Sequence, residues 1–180
     1  QSQLLALRRS EEAREISRAL LGQLARFLRA AGQKRPAGGV PRYRLSLGVR
    51  AVGLRGDTLC GDCGTSFQCG VTQYVLLCDG MGTGSGAQSD AQEAISVLQS
   101  LLTLGFDAMD AAAMLNELYV LRGDGCFSTV DLLEMDLCTG EGALYKWGAA
   151  PSYLKKGGTV KKIGTASPPP GLGVGEEHRA

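Results

Sequence analysis

Two aspartates stand beside glycine at the ends of short apolar or cysteine-bearing runs, Asp62 in CGDCG and Asp79 in CDGMGTGSGAQ. The glycines after Asp79, at positions 80, 82, 84 and 86, can turn tightly and bring backbone N–H groups to an anion, as phosphate-cradling loops do where a helix begins. A carboxylate at the mouth of that loop repels phosphate. The conflict disappears when a divalent cation sits between the two, with Asp79 holding metal and metal holding phosphate. Hard cations such as Mg²⁺ and Mn²⁺ take oxygen ligands in octahedral geometry, usually one or two carboxylates with water and a backbone carbonyl. Antiparallel neighbouring strands would bring a second acid beside Asp79. Asp57, in RGDT, competes with Asp62 for that place, and periodicity does not separate them.

Other chemistries fit the residues less well. A cysteine-dependent phosphatase needs an arginine at fixed spacing after its thiolate, and none of the 6 cysteines has one. Cys60 and Cys63 form a C-x-x-C pair, but a tetrahedral zinc site needs a second pair of soft ligands and only Cys69 is near. Gly82, Gly84 and Gly86 lack the G-x-G-x-x-G spacing of a dinucleotide loop, which weighs against a nucleotide-binding domain. His178 stands beside Glu176 and Glu177 in a polar tail and reads as solvated. The cysteines read as free thiols, with Cys78 and Cys138 in apolar strand-like runs.

Composition sets the frame for these residues. A chain of 180 residues with 44% hydrophobic and 21% charged residues suits one domain with a substantial core plus an appendage. Lysine and arginine total 19 against 18 acids, and a net charge of +1 gives no case for nucleic acid or an anionic membrane as partner. No apolar run reaches the length of a membrane span and no signal-peptide zones open the chain, so the segment itself is expected to be cytosolic.

The elements that must position the aspartates follow from periodicity. Residues 4–31 carry apolar positions at three- and four-residue spacing (Ile16, Leu20, Leu24, Phe27, Leu28) with arginines on other faces, a long amphipathic helix. It either packs on its own domain or acts as a regulatory or dimerising helix, which would make a homodimer through helices. GQKRPAGGVP breaks it, so residues 1–41 form a helix and linker and residues 42–180 a second unit. Residues 42–55 alternate as one strand or a bent pair, with Leu45, Leu47 and Val49 on one face. Gln73–Cys78 is a buried strand ending at Asp79. Ala91, Ile95, Leu98, Leu101 and Leu102 form a helical stripe, and a second helix follows with Asp107 as N-cap and Ala111, Met114, Leu115 and Leu118 on its buried face. Phe127–Leu137 alternates as a strand, CTGEG turns, and ALYKWGA and SYLKKGGTVKKIG supply further strands. Strands, a helix pair and more strands, then a proline-rich tail, describe an α+β domain that stops before its last elements.

The segments RYRLSLGVRAVGLRGDTLCGD, YVLLCDGMGTG, FSTVDLLEMDL, KWGAAPSYLKKGG and PPPGLGVG, in this order over residues 42–175, resemble the phosphatase domain of the stage II sporulation protein E family. That family belongs to the metal-dependent, protein phosphatase 2C-like serine/threonine phosphatases. The resemblance implies a four-layer α-β-β-α sandwich, incomplete at the C-terminus. It implies that Asp62 is the first metal ligand, that Asp79 and the Gly80 carbonyl bind at the second motif, and that Asp57 falls in a loop. It also implies two Mn²⁺ or Mg²⁺ ions sharing the central carboxylate and activating a bridging water, so that no protein nucleophile is required. Ser128, Thr129 and Asp131 match the family's strand motif, where packing explains them as well as catalysis does. The implied substrate is a phosphoserine protein, an anti-anti-sigma factor whose dephosphorylation frees the forespore sigma factor, and the implied setting is a cytoplasmic domain of a protein anchored in the membrane at the bacterial sporulation septum. The helix pair over residues 88–121 would act as a switch against the core. The family's later acidic motifs are missing from this segment, so weak metal binding and poor turnover are expected of it; the alternative is a catalytically inactive partner-binding or oligomerising module.

Overall fold

The computed structural model describes residues 22, 39–53, 60–123, 125–164 and 167–172. Its centre is an antiparallel sheet in the order β1 (Asp62–Cys69), β2 (Thr72–Gly80), β3 (Ser128–Asp136), β4 (Gly142–Trp147). Alternation in sequence becomes two unlike faces. On β2, Tyr74, Leu76, Cys78 and Gly80 are buried on one face, while Leu77 and Asp79 are exposed on the other. The buried row continues across the ladder from Leu76 to Leu132 and Tyr145, and from Cys78 to Val130 and Trp147.

Two helices cover that apolar face. In α1 (Gly84–Thr103) the buried residues Ala87, Ala91, Ala94, Leu98 and Leu102 recur every three or four positions and lie against β1 and β2. Fully burying a side chain such as Leu98 is worth roughly 1.5–3 kcal/mol. α2 (Ala108–Arg122) starts as the sequence predicts, with the Asp107 carboxylate accepting from the Asp110 N–H at 2.8 Å. It stops at Gly123, whose φ of +66° is the left-handed conformation common after a helix end. Across the helix pair, Arg122 bonds Asp90 and Glu93, and the Tyr119 hydroxyl bonds the Ser128 hydroxyl at 2.9 Å beneath α2.

A separate two-stranded sheet follows, β5 (Ser152–Lys156) with β6 (Thr159–Ile163). Gly157 and Gly158 join them with φ of +54° and +85°, the double positive φ that suits a two-residue hairpin to strand twist.

Three expectations need correction. Of the expected strand over residues 42–55, the described residues 42–53 form none: among the described residues, only the Arg42 and Tyr43 N–H groups of this stretch bond to another segment's backbone, both to the Leu137 carbonyl, and Leu47 and Val49 stay 50% and 72% exposed. Alternation favours a strand only where a sheet edge can pair with it, and none of the described strands does so here. Leu118 is 38% exposed because the buried face of α2 is centred on Ala108, Ala111, Ala112, Leu115 and Tyr119, one step around the helix. Cys138 lies in the turn after β3 and is half-buried. The expected helix over residues 4–31, Asp57 and His178 lie outside the described residues.

Candidate metal centre

Asp62 and Asp79 are directly opposite one another in the β1–β2 ladder, at its open end. Both belong to the sheet face turned away from the helices, because Cys63 and Cys78, the next pair along, belong to the helix-packed face. Like charges at directly opposed positions destabilise a sheet. Accordingly the Asp79 carboxyl is pushed above the usual carboxylate range, first by partial burial, then by the charge of Asp62, and then by a hydrogen bond with the Asp62 side chain. The same row reaches β3 at Thr129.

Glycine leaves the room around the pair. A side chain on Gly61 would come within 3.2 Å of the Ala87 methyl, and its Cβ would lie 3.7 Å from Asp79 Oδ1 and 3.9 Å from the Gly80 carbonyl oxygen. The absent Cβ therefore faces two of the expected ligand oxygens at once. Gly80 is dictated by packing: a Cβ there would lie 1.9 Å from the Ala87 carbonyl oxygen, inside the first turn of α1. Gly82 and Gly84, with φ of +91° and +76°, make the turn from strand to helix. The donors are hard oxygens, two carboxylates and a carbonyl, and they suit Mg²⁺ or Mn²⁺ rather than a soft metal. Among the described residues no group of three or more His, Cys, Asp or Glu side chains converges to hold a metal ion, so the pair alone is short of an octahedral set.

The pair opens into a cleft of about 830 Å³ lined also by Leu77, Thr129, Asp131, the Gly148–Pro151 loop, Lys162, Gly164 and Ser167. Asp131 is two residues beyond Thr129 on the same face of β3, and its carboxylate takes a hydrogen bond from the Lys146 ammonium, its cross-strand neighbour. Lys146 is only 5% exposed; it also donates to Ser152 at 2.9 Å, while its carbonyl accepts from Ser167 at 3.1 Å. One lysine thus ties β3 and β4 to the start of the β5–β6 hairpin and to the cleft rim. Sequence reasoning left Asp131 unassigned and passed over Lys146, although a lone lysine between Tyr145 and Trp147 was a visible signal of a strand position facing away from the apolar core. Two of the thiols nearby are held in the neutral form: burial pushes Cys78 up to about 12, and burial with the neighbouring Cys60 and Asp62 raises Cys63.

The fold is that of protein phosphatase 2C domains. It matches the structure of the phosphatase domain, with part of the regulatory domain, of the cell fate determinant SpoIIE from Bacillus subtilis, with TM-score 0.68 and 30% identity over 74% of this chain and 40% of that one. More distant structures share the fold at lower identity. The RsbU and RsbW domains of Rv1364c from Mycobacterium tuberculosis give TM-score 0.61 and 17% identity over 69% of this chain and 36% of that one. RsbX, crystallised in complex with magnesium, gives TM-score 0.58 and 16% identity over 73% and 65%.

More particularly, the family model for stage II sporulation protein E matches residues 71–180, and the chain belongs to that family. The stage II sporulation protein E of Bacillus subtilis (strain 168) is 31% identical over 137 residues, 75% of this chain and 17% of that protein. Its counterpart in Priestia megaterium is 31% identical over 132 residues, 72% of this chain and 23% of that protein. The chain therefore spans about a fifth of the length of these curated relatives. No helix among the described residues is long and apolar enough to cross a membrane.

Proposed function

We propose that this chain belongs to a divalent-metal-dependent serine phosphatase, with the cation held by Asp62, Asp79 and the Gly80 carbonyl. The observation that carries this reading is the direct opposition of two carboxylates at the end of a strand pair, beside a Gly61 with no side chain to fill the space, in a chain of this family. When bound, Mg²⁺ or Mn²⁺ lowers the pKa of water and neutralises phosphoryl charge. The chain's own residues do the rest. Asp62 and Asp79 draw the cation to the base of the cleft, while Ala87, packed against Gly61 and Gly80, fixes the separation of the two strand ends. The Lys146–Asp131 pair holds the cleft wall so that a phosphoserine side chain can approach.

Two carboxylates and a carbonyl leave much of an octahedral shell to water, which is consistent with a two-ion site only if further acids join it, and with weak metal binding and poor turnover by these residues alone. By the family likeness the substrate is a phosphorylated anti-anti-sigma factor, and the intact protein is a cytoplasmic phosphatase domain tethered to the sporulation septum. The lack of a three-acid group among the described residues favours a second reading, a catalytically inactive partner-binding or oligomerising module. Assay of the intact protein on a phosphoserine peptide separates the two. Mn²⁺-dependent release of phosphate, lost in Asp79→Asn, supports the enzyme; no release at any Mn²⁺ concentration supports the module.

A further inference from the structure

The hairpin beside the cleft carries a charge distribution that metal binding does not use. Residues 152–163 read SYLKKGGTVKKI, with Lys155, Lys156, Lys161 and Lys162 and neither Asp nor Glu, in a chain whose net charge is only +1. The register divides these lysines between two faces. Tyr153 opposes Lys162 and Lys155 opposes Val160, so those four side chains share one face; Leu154 opposes Lys161 and Lys156 opposes Thr159 on the other. Lys162 lines the cleft, so its face borders the carboxylate pair. Tyr153 and Val160 on that face are 69% and 58% exposed, which leaves apolar surface between two cations without a covering element among the described residues.

From this arrangement we infer that the Tyr153–Lys155–Val160–Lys162 face is a docking ledge for an acidic segment flanking the phosphoserine, and that it selects substrates by charge next to the scissile phosphate. The inference rests on the phosphatase reading and adds the substrate class. Rows of side chains two residues apart on a strand are separated by about 7 Å. An extended chain running along the ledge from a phosphoserine in the cleft therefore meets Lys162 first, at the cleft rim, and Lys155 about two residues further on. An apolar residue of the same segment meets Tyr153. The complementarity is local: acids line the cleft at Asp62, Asp79 and Asp131, and cations line the ledge. With a cation on the carboxylates, phosphate and acidic flank each find an opposite charge.

The two faces of the hairpin supply the control. In the intact protein with Mn²⁺, fluorescence anisotropy would follow peptides carrying a non-hydrolysable phosphonate in place of phosphoserine, with acidic, neutral or basic flanks, and a single-stranded DNA oligonucleotide of matched charge. We expect the acidic-flanked peptide to bind tightest and to weaken with added salt. Lys155→Ala with Lys162→Ala should weaken it about tenfold, the sum of two modest surface charge contacts. Lys156→Ala with Lys161→Ala, on the opposite face, should change it less than about threefold. Equal effects of the two double variants, equal binding of acidic and neutral peptides, or DNA binding as tight as the acidic peptide would overturn the proposal. Hydrolysis of p-nitrophenyl phosphate by the unsubstituted protein with Mn²⁺ is measured alongside: its absence refutes the phosphatase reading, whereas the anisotropy comparison decides the ledge.

Discussion

Replacing Asp79 with asparagine should stabilise the metal-free protein, although it removes a charged group from the heart of the site. Asp62 and Asp79 are opposed in register, which puts their Cβ atoms about 5 Å apart. Two unit charges at that distance repel by about 0.8 kcal/mol in water and about 3 kcal/mol at an effective dielectric constant of 20. Asp79 is exposed, so solvent screening places the effect near the lower figure, about 1 kcal/mol. For a chain of 180 residues this is a rise in Tm of roughly 2–4 °C. The sign with pH follows from the raised carboxyl of Asp79. Between the ordinary carboxylate value and its raised value the folded protein holds more protons than the unfolded chain, so metal-free stability is greatest below the ordinary value and falls as pH rises through the raised one. Asparagine abolishes that fall. Thermal unfolding by circular dichroism in EDTA, from about pH 4 to pH 8, reads both effects. An Asp79→Asn protein that is less stable than the parent at neutral pH, or that keeps the parent's slope with pH, would mean that the two carboxylates do not repel one another across the ladder.

Two further changes probe the packing around the site. Gly80→Ala puts a methyl into the Ala87 carbonyl of α1 and should cost about 1–3 kcal/mol or more in urea unfolding; an unchanged midpoint would mean that α1 does not press on the strand end. Lys146→Met leaves Asp131 with its cation gone and should cost about 3–5 kcal/mol, with much of the loss recovered when Asp131→Leu is added; a double variant no better than the single one would contradict a paired role.

Much of the core was legible because two periods, 2 and 3.6, separate cleanly in this chain. YVLLCDG, STVDLLEMD and the Ala91–Leu102 stripe carry their own patterns, and Asp107 and the Gly157–Gly158 pair mark a helix start and a hairpin by local backbone chemistry alone. Residues 42–53 also alternate but form no strand, because alternation says which face would be buried and not whether an edge is available to pair with it. The candidate site was half legible. A strand ending in Asp79 before glycines points to a cation, yet the choice of Asp62 as its neighbour depends on register, which no local pattern contains; it came from resemblance, and the ladder places Asp62 opposite Asp79. Asp131, whose role the sequence leaves open, and Lys146, which it does not single out, meet across β3 and β4 and enter the cleft wall only once the strand order is known.

The proposed site requires Asp62 and Asp79 to hold one cation jointly, and electron paramagnetic resonance of Mn²⁺ titrated into the protein reads that binding. Bound Mn²⁺ loses the six-line signal of the free aqueous ion, so occupancy is read without any substrate or turnover. Saturable binding is expected for the parent protein and at least about tenfold weaker binding for both Asp62→Asn and Asp79→Asn, since each removes one charged oxygen ligand. Mn²⁺ binding of equal strength in the parent and either variant would contradict a jointly held cation.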